Sequence, residues 1–224
     1  MFFYSILIQV STTGTPVESI SLIELLSKGG YMMVPLILLW IAGLYIFIER
    51  VITFRKASKT PQNFQESIRQ KVLSGKINEA ILICEQTSTP VARMIRKGLG
   101  RLGTTLKNIE VSIENTGKIE LYHLEKRLSL LATISGAAPM IGFLGTVTGM
   151  IQAFIAIAQE EGAVSPKLLS SGIYEAMITT ATGLFIGILA YLGYNYLVTR
   201  VQKLVHTMEY TAIDFIDLLK EPQK

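Results

Sequence analysis

Threonine and serine recur well inside two of the most apolar stretches of this 224-residue chain: Thr133, Ser135, Thr146 and Thr148 in the first, Thr179, Thr180 and Thr182 in the second. In lipid a hydroxyl bonds to its own helix backbone or meets another polar partner. A line of hydroxyls can also hold water along an ion path without fixing a charge there. Both readings, pore lining and backbone bonding, stay open for Thr146 and Thr180. One carboxylate joins them: Glu175, near the start of the second stretch, on the side of Ala176 and Thr180. An ionisable group in an apolar span is costly enough to mark function by default, and its nearness to the span's end leaves an interfacial placement as the alternative. No Asp, Lys, Arg or His occupies the middle of either stretch.

Other chemistry finds little material. A single cysteine, Cys84, excludes an intrachain disulfide, and with two histidines it makes no metal site of the usual ligand spacing. Cys84 sits in the apolar run AILICEQ and reads as core. His123 and His206 read as solvated or packed side chains, and Trp40 and the tyrosines as packing or interfacial groups. No catalytic constellation or cofactor motif appears, so the chain is read as no enzyme, with no cofactor.

The elements that must carry these residues follow from composition. Half of the residues are hydrophobic and only 17% are charged. The apolar residues gather into runs, which points to membrane spans. Three runs are long enough: 31–53, 128–158 and 168–198, the first ending in its only charges, Glu49 and Arg50. Small residues recur along the second, Ser135, Ala138, Gly142, Gly145 and Gly149, and along the third, Gly172, Ala176, Thr180, Gly183, Gly187 and Ala190, at steps of three and four. Such stripes let backbones approach, so these spans are expected to pack on each other or on copies of themselves, with Gly142, Gly145, Gly149, Gly183 and Gly187 as the packing positions.

Charge sets the expected orientation. The segment from Thr53 to Arg127 holds fourteen Lys and Arg against seven Asp and Glu, which places 54–127 in the cytoplasm. The connection 159–167, with Glu160 and Glu161, and the segment 1–30, with Glu18 and Glu24, then lie outside, and 199–224 returns to the cytoplasm. The opening MFFYSILIQVSTTG lacks the positive n-region of a cleaved signal and is short for a span. After it Thr15-Pro16-Val17-Glu18 reads as a capping box starting an interfacial helix with Ile20, Ile23 and Leu26.

The cytoplasmic segment reads as helical throughout, giving an all-α membrane protein. Thr60-Pro61 and Thr89-Pro90 look like N-caps followed by proline at N1, and Gly75 and Gly103 can end helices. From about Thr105 apolar residues recur at helical spacing, so one helix is expected to run from the cytoplasm into the second span. Val201, Leu204, Val205, Met208, Ala212, Phe215 and Leu219 likewise extend the third span's helix into water, and a stripe that wide needs a partner.

With those features read, GAAPMIGFLGTVTGMIQAF (Gly136 to Phe154) and GIYEAMITTATGLFIGILAYLGYN (Gly172 to Asn195) closely resemble the second- and third-span signatures of the MotA/TolQ/ExbB proton-channel family. Weaker similarity covers SGKINEAILICEQTSTPVARMIRKGL. Three spans with the N-terminus outside resemble ExbB or TolQ more than the four-span flagellar MotA. The resemblance implies a homopentamer in a bacterial inner membrane. It implies that the pentamer encloses a dimeric, single-span ExbD- or TolR-like partner whose Asp takes and releases the proton. It matches Thr146 and Thr180 to the family's pore threonines and Glu175 to its third-span glutamate. Proton flow would then pass force to a TonB- or TolA-like protein for outer-membrane transport or envelope integrity. Two other functions compete: a non-conducting membrane scaffold, and a stator of the same family driving gliding or another output. A nucleic-acid binder fits poorly, because the cytoplasmic Lys and Arg are interleaved with Glu and lack aromatic stacking partners.

Overall fold

The computed structural model describes residues 29–61, 63–159 and 166–220, with side chains from 170 onward in the last stretch. The interfacial helix expected after Thr15 and the acidic connection with Glu160 and Glu161 lie outside the described residues. Every regular element among the described residues is helical: α1 (Met33–Ala57), α2 (Phe64–Leu73), α3 (Ile77–Thr87), α4 (Pro90–Leu99), α5 (Leu106–Glu125), α6 (Leu128–Gln159) and α7 (Pro166–Lys220). The all-α expectation holds, and three of the helices are long and apolar enough to cross a membrane.

Those three, α1, α6 and α7, pack on one another. In α1 the buried residues Met33, Leu36, Gly43, Ile46, Arg50 and Phe54 fall on one face. Val34, Leu38, Ile41, Tyr45, Ile48 and Ile52 are exposed on the others, so the helix is apolar all round, as a lipid-bathed helix is. At 1.5 Å per residue α7, with 55 residues, is about 80 Å long. It therefore overshoots a hydrocarbon core of about 30 Å, and its second half packs with the shorter helices.

The run expected to be one helix from Thr105 through the second span is broken. Lys126 leaves helical geometry at ψ 132°, and Arg127 takes φ 69°, so α5 and α6 meet at a two-residue elbow. The cause is electrostatic and non-local. Arg50, 5% exposed, pairs with Glu49 at 2.5 Å and donates through Nη1 to the His123 carbonyl at 3.2 Å. That carbonyl belongs to the last turn of α5, where acceptors lack helical donors. Glu49 in turn pairs with Arg127 at 2.9 Å. The two charges that end the first apolar run thus fasten α1 to the elbow, and the buried Arg50 guanidinium has its partners.

Beyond the elbow α2 to α5 fold around the second half of α7. Thr89 caps α4 as its sequence suggests, accepting from the Ala92 N–H at 3.4 Å with Pro90 at the first position. Thr60-Pro61 does not start a helix. Pro61 instead closes a turn through its carbonyl, accepting from the Phe64 N–H at 3.0 Å, and α2 begins at Phe64. Gly75 (φ 71°) and Gly103 (φ 93°) follow α2 and α4 in the left-handed region that ends helices. Arg93 clamps Glu120 with paired bonds of 2.5 Å and donates to the Ser88 carbonyl at 2.7 Å, tying α4, α5 and the end of α3 together. On α7, Thr211 accepts from Gln65 at 2.9 Å, which seats α2.

Cys84 lies in this core at 1% exposure, and burial pushes its thiol up to about 12. Because the thiolate is the reactive form, iodoacetamide at mildly alkaline pH should leave the folded protein unlabelled and label it fully in denaturant. Ready labelling of the folded protein would mean that α3 does not pack as described.

Candidate functional site

α6 and α7 run antiparallel and very close, because glycine faces backbone along their seam. A Cβ on Gly183 would lie 2.5 Å from the Ala138 carbonyl oxygen and 2.9 Å from the Gly142 Cα. A Cβ on Gly142 would meet the Thr179 carbonyl at 2.8 Å and the Thr180 Cα at 3.2 Å. Further along, Gly145 accommodates the Thr179 side chain, and Gly149 lies against Ala176 and the Gly172 carbonyl. At the other end Gly187 receives the ring of Pro139, whose missing N–H leaves the Ser135 carbonyl without its helical donor. The five glycines singled out in the sequence all lie on this one seam.

The hydroxyls divide into two kinds. Thr133, Ser135, Thr146, Thr148 and Thr179 donate to carbonyls of their own helices, Thr146 to Phe143 at 2.6 Å and Thr179 to Ala176 at 2.8 Å. Thr180 is different: its Oγ1 donates across the seam to the Gly142 carbonyl at 3.0 Å. That bond exists only because Gly142 brings the two backbones together. Thr182 is half-buried. Thr146 and Thr180 are also half-buried. Since Gly142 and Gly145 together face Thr179 and Thr180, Thr146 stands within about one helical turn of Thr180 along the pair.

This arrangement fixes the polarity of both threonines. Each hydroxyl has one proton to donate and two lone pairs to accept with. With the proton committed to a carbonyl, what Thr146 and Thr180 present to anything else is an acceptor. They suit water, a hydronium-like species or a protonated carboxylic acid, and suit an ionised carboxylate poorly.

Glu175 does not face that pair at the same level. It is half-buried, and its carboxylate occupies the space over Gly30, where any Cβ would overlap it. Gly30 has φ 64° and stands three residues before the start of α1, its carbonyl accepting from the Met33 N–H at 3.2 Å. A carboxylate there stands beside the positive end of the α1 dipole. Periodicity did not reveal this contact, although the Gly29-Gly30 pair just before the first span was a usable sign that something packs closely there.

Among the described residues no three His, Cys, Asp or Glu side chains gather as a metal site. His206 is exposed beside Glu209, and His123 contributes its carbonyl to the elbow rather than its ring.

Comparison with known proteins bears on these same elements. The model of the MotA/TolQ/ExbB proton channel family matches residues 86–210, more than half of the chain and the whole of the α6–α7 seam. An ExbB homolog of Methanothermobacter thermautotrophicus is 28% identical over 203 residues, covering 90% of this chain and 68% of that protein. The Tol-Pal system protein TolQ of Haemophilus influenzae is 41% identical over 98 residues, 44% of this chain and 41% of that one. The biopolymer transport protein exbB1 of Vibrio cholerae is 39% identical over 90 residues, 38% of this chain and 40% of that one.

Proposed function

The chain belongs to the MotA/TolQ/ExbB proton channel family, and from that premise we propose that it is the channel-forming stator subunit of an ExbB/TolQ-type motor. It is a multi-pass membrane protein of a non-enzymatic family. In the proposed assembly several copies, five by the family's pattern, surround the transmembrane helices of an ExbD- or TolR-like dimer in a bacterial inner membrane. The N-terminus lies outside and the C-terminus in the cytoplasm. Proton flow moves the inner dimer, and a TonB- or TolA-like protein carries the work to the outer membrane.

One observation carries this reading. α6 offers Thr146 and its seam with α7 offers Thr180 as acceptors, while the span of α6 contains no ionisable side chain and the only acid in that of α7 is Glu175, near its start. A path of acceptors without a mid-membrane acid can pass protons only when another chain brings the acid. The apolar side chains left exposed on opposite sides of the bundle, Met140, Phe143 and Phe154 on α6 and Met177, Leu184 and Phe185 on α7, give copies of the chain surface to associate through.

The test is proton flux into liposomes holding the purified chain with and without a single-span partner bearing a membrane Asp. The chain alone should leak little, the pair should conduct, and Asp→Asn in the partner should silence it. Flux from the chain alone equal to that of the pair would end this division of labour.

A further inference from the structure

A concave apolar groove runs along one side of the three-helix bundle, between α1, α6 and α7. Its volume is about 390 Å³, within the size range of small-molecule sites, and its walls include Trp40, Phe47, Leu131, Ile186 and Tyr196. Gly43 and Gly193 deepen it by withholding side chains, Gly193 lying directly against Phe47. Ring contacts pair Trp40 with Phe185 and Phe47 with Tyr196, so α1 and α7 run in the same direction along it.

One end of the groove is cationic. Arg200 sits over the Tyr196 ring at 5.1 Å and donates from Nε to the Tyr196 hydroxyl at 3.2 Å, so the ring at the groove's mouth holds the guanidinium in place. Its remaining N–H donors suit a phosphate, which a guanidinium can engage bidentately. Lys203 lies on the same helical face as Tyr196 and Arg200, and the parallel α1 ends at this level in Arg55 and Lys56. The mouth therefore calls for an anion, which a neighbouring copy, basic at the same level, does not bring to it.

We propose that the groove holds an acyl chain of an anionic phospholipid whose phosphate is bound by Arg200 and Lys203. Apolar walls take the chain, and the cations at the mouth select the headgroup. The selection requires only that the helices span the bilayer, not that the protein conducts.

Trp40 is the only tryptophan in the sequence and lines the groove, so its fluorescence reports the occupant. The protein is reconstituted with equal mole fractions of chain-brominated phosphatidylglycerol or chain-brominated phosphatidylcholine, and quenching of Trp40 is measured. Phosphatidylglycerol should associate more tightly, roughly fivefold per cation engaged. In Arg200→Gln with Lys203→Gln, both exposed positions, the two lipids should quench alike. Equal quenching by the two lipids in the unaltered protein overturns the proposal, as does a preference that survives in the variant. Absence of quenching by either lipid also overturns it, because a neighbouring copy would then close the groove. The comparison in the unaltered protein decides even where the variant reconstitutes poorly.

Discussion

Gly183→Ala should lower the melting temperature of the detergent-solubilised protein by roughly 5–10 °C and reduce the yield of assembled oligomer, although it adds a single methyl group. The reason is what the methyl meets. Its Cβ would lie 2.5 Å from the Ala138 carbonyl oxygen and 2.9 Å from the Gly142 Cα, and both are backbone atoms of α6 that no rotamer change can move. The helices must separate, at a cost near the upper end of the 1–3 kcal/mol usual for overpacking, about 3 kcal/mol. Separation has a second consequence. The Thr180 hydroxyl reaches the Gly142 carbonyl at 3.0 Å, and a shift of a few tenths of an ångström takes that bond out of range. Gly136→Ala supplies the control within the same helix, since nothing lies within 4 Å of a Cβ built there. It should assemble and melt like the unaltered chain. A Gly183→Ala protein that did so too would show that the seam is looser than its geometry.

How far the residues announced this arrangement depends on the range of the interaction. The seam was legible because steps of three and four are a property of one helix read alone: Gly142, Gly145 and Gly149 fall on a line whatever lies opposite. Which partner lies opposite is a tertiary fact, and α6 meeting α7 within one chain resolves a choice the stripes left open. The elbow at Lys126 and Arg127 was not legible. The apolar period runs through it unbroken from Ile113 to Leu128, and the cause is a charge cluster reaching from Glu49 and Arg50, more than seventy residues earlier. Local cap chemistry succeeded at Thr89, where the hydroxyl meets its N–H, and misled at Thr60-Pro61, where the same dipeptide closes a turn ahead of α2. For the candidate site, residue type suggested hydroxyls as pore groups, whereas the direction of each hydroxyl's proton needed coordinates. Glu175 was legible as unusual for its place in an apolar run. Its seat against Gly30 was not, because two segments far apart in sequence make it.

Thr180→Val should leave the oligomer intact and cut partner-dependent energisation in cells by about tenfold, with Thr180→Ser restoring most of it. Valine copies the shape of threonine and removes only the oxygen. The structural loss is then one interhelical bond, and such bonds in membranes average roughly 0.6 kcal/mol, small against the packing of the whole seam. The functional loss is of another kind. With its proton committed to Gly142, the Thr180 oxygen offers lone pairs into a span that has no mid-membrane acid of its own. A protonated carboxyl from a partner helix, or a water on the way to it, would lose its acceptor, and about 1.4 kcal/mol for one such hydrogen bond corresponds to the tenfold change. Thr146→Val should act in the same direction, because its oxygen is held the same way through Phe143. The scaffold reading makes a contrary forecast: if the hydroxyls only join α6 to α7 and cap their own backbones, activity should fall no further than oligomer yield. Glu175→Gln separates charge from contact in the same experiment, since glutamine keeps the size and hydrogen bonding of the side chain over Gly30 while removing its attraction to the head of α1. Full energisation by both valine variants, with normal oligomer yield, would remove Thr146 and Thr180 from the ion path and leave the seam as packing alone.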